Sequence, residues 1–421
     1  MLDIKFIREN AELVKSATEK KNISFDVAAL LTSDDTRRAL LAEVEAMRGK
    51  QNEIAQAVPR ASSPEERERL INESKSAKEL LTKKEEELAE IMKTWYGLMV
   101  QVPNIPDMSV PEGKEDLDNV EVRTWGAIPT FDFKPKDHIE LCEMHGLADF
   151  ERGTKVAGFR GYVLKGDGAR LVFALSQFVL NELTAEGFEP MIVPSLVRRA
   201  PLTGTGFLPQ GEEDLYKTQD GDFLAGTAEV ATMGYHMDET LALADLPKKY
   251  ISFSSAFRRE AGSHSKDTKG LIRVHEFFKW EQVILCEASH EESVKFHEYL
   301  TANSEKLMQK LGIPYHVVLN CGGDLGLGQV KKYDIEAWVP SQNTYRETHS
   351  ASYFHDFQTR RLNIRYKDAE GKSRFAHSLN NTAIASPRIL VPLLENFQQA
   401  DGSIIIPEVL RPYMGGKEKI G

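Results

Sequence analysis

Residues 257–281 decide how this chain folds. They read Phe257-Arg258-Arg259-Glu260, then a loop from Ala261 to Gly270 rich in Gly, Ser, Lys and Asp, then Leu271-Ile272-Arg273-Val274-His275-Glu276-Phe277-Phe278-Lys279-Trp280-Glu281. A strand, a polar loop and a second strand predict an antiparallel pair. Alternate residues of a strand share a face, which sets Arg273, Phe277 and Glu281 together. A cation, an aromatic plate and a carboxylate side by side suit a nucleotide next to an amine. Arg258 adds a guanidinium fork shaped for phosphate. A surface hairpin laced with salt bridges has the same composition, so this stretch leaves both readings open.

Further strand-like runs lie at 188–193, 249–257, 280–286, 315–319, 333–339 and 361–366. Many are joined by short turns and few by helical crossovers. Neither GxGxxG nor GxxxxGK[ST] occurs, so both glycine-loop routes to nucleotides are missing. These features predict an α+β domain: a mostly antiparallel sheet flanked by helices.

Near the C-terminus comes Leu379-Asn380-Asn381-Thr382-Ala383-Ile384-Ala385-Ser386-Pro387-Arg388, before an apolar helix expected over 389–397. Ser386-Pro387 is a good helix-start signal. An arginine there is unusual, because helix N-termini favour anions. It is expected if a polyanion binds at that spot, and a plain capped helix explains the segment equally well.

The N-terminal hundred residues carry the clearest periodicity. Leu40, Val44, Met47, Gln51, Ile54 and Val58 alternate by four and three, as do Leu70, Ser74, Ala77, Leu81, Lys84, Leu88, Ile91, Trp95 and Leu98. That is a coiled-coil seam. Between them, Pro59 to Pro64 makes a short connection, so the helices run antiparallel. Ser63 is placed to cap the second helix and Glu66 to close a capping box. The hairpin is about 40–50 Å long at ~1.5 Å per residue. A dimerisation coiled coil or spacer has this pattern, and so does a reaching arm. Residues 1–102 form one expected domain, the Pro-rich stretch 103–120 a linker, and 121–421 the sheet domain.

The chain has 421 residues and a formal net charge of −11. An acidic balance argues against a general DNA-coating protein. No apolar run reaches the ~18 residues of a membrane span. Cys142, Cys286 and Cys321 are odd in number and widely spaced, which fits a reducing cytosol better than a disulfide framework.

Phe257-Arg258-Arg259-Glu260 and the Arg388 segment resemble motifs 2 and 3 of class II aminoacyl-tRNA synthetases. Thr227-Ala228-Glu229, the stretch 273–281, Tyr333-Asp334-Ile335-Glu336 and Tyr345-Arg346-Glu347-Thr348-His349-Ser350 follow in an order similar to the seryl-tRNA synthetases. So do Gly204-Thr205-Gly206, Glu212-Glu213-Asp214 and the closing 410–415 segment. The resemblance spans essentially the whole chain, and in that family the hairpin reaches to the tRNA. It implies activation of L-serine with ATP to seryl-adenylate, then transfer to serine tRNA, with selenocysteine tRNA as a further acceptor. Cytoplasmic location, a homodimer joined around motif 1 at 187–194, and no membrane partner are implied as well.

The resemblance assigns residues to roles. ATP would be bound by Arg258, Arg259, Glu260, Arg273, Val274, Phe277, Glu347, Thr348, His349, Ser350 and Arg388, with Arg258, Arg388 and Glu347 catalytic. Arg258 would hold the α-phosphate, while Phe277 and Arg388 sandwich the adenine. Glu347 and Ser350 would coordinate Mg²⁺. Serine would lie among Thr227, Ala228, Glu229, Glu281, Asn380 and Thr382, with its ammonium on Glu229 or Glu281. Where many class II sequences have glycine in motif 3 this chain has Asn381 and Ala383, whose side chains are expected to narrow the space beneath the nucleotide. In the motif 2 loop, Ser265 and Lys269 replace the commoner Gly and Arg. A relative that loads a carrier protein is disfavoured by the long hairpin. A non-catalytic tRNA-binding or scaffold protein is disfavoured by the motif arginines and the acidic pocket residues.

Overall fold

The computed structural model describes residues 1–262 and 267–421. The expectation at Ser265 lies outside the described residues. The chain divides into two compact units: Leu2–Thr18 with Ser24–Val102, and Met1 with Glu19–Ile23 and Pro103–Gly421.

In the smaller unit two long helices, Val27–Ala57 (α1) and Pro64–Met99 (α2), form the hairpin. Every seam position named above is buried or half-buried, with Val44, Ile54 and Leu81 the most enclosed. The 3.5-residue repeat thus keeps one apolar stripe per helix against the other, which an isolated helix could not do. Asp26 caps α1, accepting from Ala29 N at 3.0 Å. Ser63 Oγ caps α2, accepting from Glu66 N at 3.1 Å. The Glu66 carboxylate returns not to Ser63 but to Ser62 N, at 2.8 Å, so the box closes one residue earlier than expected.

The larger unit is built on an eight-stranded sheet. In chain order its strands are β1 (Val120–Trp125), β2 (Glu189–Ile192), β3 (Lys248–Phe257), β4 (Glu276–Cys286), β5 (Tyr315–Leu319), β6 (Lys331–Val339), β7 (Thr344–Tyr353) and β8 (His377–Ser386). Their spatial order is β1-β5-β6-β7-β8-β4-β3-β2, antiparallel except for β2 against β3. Helices Asp167–Ala185 and His290–Leu311 contribute Leu171, Leu175, Phe178, Leu300, Leu307 and Met308 to a core shared with Ile251, Ile284, Ile335, Ala351 and Leu379 from the strands. On the opposite face, Tyr250 of β3 and Val283 and Leu285 of β4 join a second apolar cluster with Met233, Leu362 and Ile364, and polar residues gather beside it on β4, β7 and β8.

Several expectations are corrected. The run at 361–366 is no strand: Phe357–Leu362 is helical, Asn363 ends it in the left-handed region at φ 54°, and only Arg365–Lys367 extends. Two central strands, β7 and β8, were not expected as strands, because their polar residues hide the apolar alternation. The second strand of the opening stretch begins at Glu276, not Leu271. Before it, Leu271 N donates to His138 Nε2 at 3.1 Å and Ile272 O accepts from Arg388 Nε at 2.8 Å. Backbone groups satisfied by side chains need no ladder. Within the stretch 103–120, Asn104 Nδ2 donates to Gly328 O at 3.0 Å and Phe354 O at 2.8 Å, inside the larger unit.

Candidate active site

The polar face of β4, β7 and β8 forms the floor of a cleft. It is lined by Arg258, Glu260, Ile272, Val274, Phe277, Lys279, Glu347, Thr348, Ser350, Thr382, Ala385 and Arg388, among others. β3 delivers Arg258 at its end, where Arg258 N donates to His275 O at 3.0 Å and pins the turn. The Arg258 guanidinium lies 5.3 Å from the centre of the Phe277 ring. Arg388 sits in the turn after β8, not at a helix start, because β8 runs through Ser386 and the helix begins at Leu390. Its guanidinium is held by Ile272 O at 2.8 Å and Glu347 O at 3.1 Å.

Two bulges shape this face. Glu336 pairs with Glu347 and Ile335 with His349, which leaves Thr348 as an extra residue on β7. Glu281 pairs with Thr382 and Trp280 with Ile384, which leaves Ala383 as an extra residue on β8. A bulge shifts the alternation by one. Glu347 and Ser350, three apart, therefore both line the cleft, and so do Thr382 and Ala385.

Glu347 is open to water yet ringed by protein. Burial opposes its ionisation, but Arg388, Lys332 and Arg258 outweigh that and hold its carboxyl below the ordinary value. Behind it, burial and the Glu347 charge push Asp334 up to about 6, while Lys332 at 3.3 Å opposes them.

A second polar group adjoins the cleft. Thr227 caps the helix Ala228–Tyr235, accepting from Glu229 N at 3.3 Å. Burial and the nearby Glu281 push the Glu229 carboxyl up to about 7, although Gln358 and Asn380 hydrogen-bond to it. Burial also raises Glu281, opposed by Lys279 and by a hydrogen bond with Thr382. Lys279 Nζ lies 2.7 Å from Glu281 Oε2 and donates to Thr227 Oγ1 at 3.3 Å. Thr227, Glu229, Glu281, Asn380 and Thr382, scattered in sequence, are thus brought together.

Some expected residues lie elsewhere. Arg259 is exposed and donates to Glu213 O at 3.1 Å, in a separate shallow groove with Tyr216 and Lys217. Arg273 stands off the cleft floor, joined to Glu260 at 2.6 Å. The His349 ring is buried with the core, and burial lowers its pKa to about 4. Ala228 is the buried first residue of the helix that Thr227 caps. Asn381 does not narrow the cleft: its amide donates to Leu300 O at 2.7 Å and Ser304 Oγ at 2.9 Å on the helix side. Ala383 also belongs to the core on that side. Lys269 is exposed.

Sequence reasoning missed Lys279 and Gln358. Lys279 stands midway between Phe277 and Glu281, so strand alternation already put it on their face. Gln358 donates to Glu229 Oε1 at 2.7 Å and accepts from Ser378 Oγ at 2.7 Å. It lies on a helix far away in sequence, and nothing local marked it.

Comparison with known proteins agrees with this arrangement along the whole chain. Residues 1–106 match the seryl-tRNA synthetase N-terminal domain, and residues 216–397 the class II tRNA synthetase core domain (G, H, P, S and T). A serine–tRNA ligase of Deinococcus radiodurans is 50% identical, the match covering 100% of this chain and 99% of that one. The chain belongs to the seryl-tRNA synthetase family. Another serine–tRNA ligase, from Dictyoglomus thermophilum, is 44% identical over 99% of both chains. The crystal structure of seryl-tRNA synthetase from Pyrococcus horikoshii complexed with ATP superposes with a TM-score of 0.90 at 40% identity, covering 100% of this chain and 99% of that one. As a member of this family the chain is an ATP-dependent aminoacyl-tRNA ligase specific for serine. No helix among the described residues is long and apolar enough to cross a membrane.

Proposed function

We propose that the cleft activates serine as seryl-adenylate and then passes the seryl group to the terminal ribose of serine tRNA. One observation carries this reading: Arg258, Phe277, Arg388 and Glu347 converge on one face, next to a buried group of two carboxylates, a lysine and a threonine hydroxyl. Adenine would stack on Phe277, and Arg258 would meet the α-phosphate. The serine carboxylate attacks the α-phosphorus and pyrophosphate leaves. Catalysis is positioning and charge neutralisation, with no covalent enzyme intermediate. With both carboxylates ionised, Glu229, Glu281 and Lys279 leave one net negative charge, which matches the ammonium of serine. Thr382 would bond the substrate hydroxyl.

Mg²⁺ fits the site. Glu347 and Ser350 are two oxygen donors brought to one face by the Thr348 bulge, and Glu347 is ionised at neutral pH. Mg²⁺ commonly takes one or two protein ligands and completes its shell with phosphate and water. When bound it would neutralise charge on the phosphates. The chain's own cations, Arg258 and Arg388, would add positive charge toward the phosphates.

We place the hairpin α1–α2 as the tRNA-reaching arm of a domain spanning 1–102, and the catalytic domain at 121–421. Selenocysteine tRNA is proposed as a further acceptor, on the family resemblance alone, and the cytoplasm as the place of action. The second subunit of a homodimer would cover an apolar groove along edge strand β2, where Ile192 is 85% exposed and Phe173 74%. An apolar patch on an unpaired sheet edge favours association.

The deciding experiment is ATP–pyrophosphate exchange with each of the twenty amino acids, followed by transfer to purified serine and selenocysteine tRNAs. Exchange with serine alone, then transfer to tRNA, is the expected result. Exchange without transfer would point to loading of a carrier protein. Absence of exchange would revive a non-catalytic role.

A further inference from the structure

Strands β7 and β8 stop pairing at the cleft. Their ladder joins Tyr353 to Leu379, Ser352 to Asn380 and Ala351 to Asn381, and no ladder pair follows. Beyond that point each strand carries its bulge, Thr348 on β7 and Ala383 on β8. The His349 ring links the two. Its Nε2 lies 3.1 Å from Ala383 O and its Nδ1 2.8 Å from Thr348 Oγ1. A carbonyl oxygen only accepts, so Nε2 carries the proton, while Nδ1 faces the Thr348 hydroxyl, whose oxygen also lies 3.1 Å from Ile335 O. His349 is 1% exposed, so water does not compete for these bonds.

We propose that His349 is a positioning residue for adenylation: its ring ties one bulge to the other across the point where the strands part. The tie sets the separation between Glu347 and Ser350 on β7 and Thr382 and Ala385 on β8. This rests on the reading of the cleft given above, in which β7 serves the phosphates and β8 the amino acid. The side chain itself is absent from the cleft lining and is 1% exposed, on the face of β7 that Ala351 shares by strand alternation. In-line attack needs the serine carboxylate about 3 Å from the α-phosphorus, and a misplacement of ~1 Å costs on the order of 100-fold in rate. Losing the tie therefore acts on kcat more than on either KM.

His349→Phe keeps a ring and deletes both bonds. His349→Gln keeps a donor and an acceptor on a flat amide. Pyrophosphate exchange is measured at varied ATP and serine for both, well below each variant's own Tm. The Phe variant is expected to lose about 10–100-fold in kcat with each KM within about 3-fold, and the Gln variant to regain most of that loss. If His349→Phe does not fold, His349→Leu, which also deletes the bond to Ala383 O, replaces it in the comparison with His349→Gln. An unchanged kcat, a loss confined to KM, or equal losses in the hydrogen-bonding and non-bonding variants would overturn the proposal. Arg258→Ala is run in parallel. If it retains exchange, the reading of the cleft fails and the proposal with it. If it abolishes exchange while His349→Phe behaves as wild type, only the role of His349 fails.

Discussion

Lys279 Nζ lies 2.7 Å from the Glu281 carboxylate, two residues along the same face of β4, and both side chains are buried. Removing one partner of a buried pair strands the other charge, at a cost of about 3 kcal/mol or more. Lys279→Met is expected to lower the urea midpoint accordingly, and Lys279→Met with Glu281→Gln to recover most of it. Both variants are expected to lose pyrophosphate exchange, because the second restores stability without restoring charge. A double variant as unstable as the single one would show that the pair is not the source of the loss.

Glu229 gives a pH dependence of known sign. Its carboxyl is raised from 4.5 to about 7, so the folded chain keeps a proton that the unfolded chain has released. The associated stability is full below about 4.5, is lost as pH rises through about 7, and is on the order of 3 kcal/mol. Glu229→Gln should flatten this part of the Tm–pH curve and raise Tm at pH 8. Serine affinity, measured calorimetrically, should strengthen from pH 6 to 8 in the wild type, where an ionised Glu229 can meet the ammonium, and lose that trend in the variant.

Thr382 pairs with Glu281 across the β4–β8 ladder and hydrogen-bonds to its carboxylate. Thr382→Ala should cut kcat/KM for serine about 10–100-fold in pyrophosphate exchange, the worth of a bond of 1–3 kcal/mol. Alanine has no hydroxyl to lose, so its kcat/KM should hardly move. An unchanged serine-to-alanine ratio would remove Thr382 from the pocket.

The hairpin seam is self-contained, so shortening α1 and α2 by matched heptads should leave the larger unit folded. Pyrophosphate exchange is expected within about twofold of wild type, and transfer to tRNA to fall by two orders of magnitude or more, since the lost phosphate contacts carry much of the affinity. Equal loss of both activities would argue against a reaching arm.

Ile192 and Phe173 are largely exposed, so a charge at either costs the single chain little stability. Ile192→Asp with Phe173→Asp should convert a dimer to a monomer in sedimentation, with the circular dichroism spectrum unchanged. A wild type that sediments as a monomer at micromolar concentration would dismiss the dimer outright.

Local signals carried much of this chain. Heptads read at 40–58 and 70–98 identified a hairpin whose seam positions are those enclosed in the fold, because a helix of fixed period can bury only one stripe. Strand alternation set Phe277 and Glu281 on one face for a similar reason. Arg273 escaped that rule because its backbone neighbours bond to His138 and Arg388, and the strand starts later.

What residue order alone determined was period: which side chains of one helix or strand share a face. Only the tertiary structure decided where that period breaks. The bulges at Thr348 and Ala383 turn Glu347 and Ser350, and Thr382 and Ala385, to the same side, and they turn Asn381 away from the cleft. A bulge is defined by two residues facing one on a partner strand, so neither strand's own sequence contains it. The same holds for Gln358 beside Glu229, 129 positions apart, which meet because the sheet and its helices pack and not because of anything local to either residue.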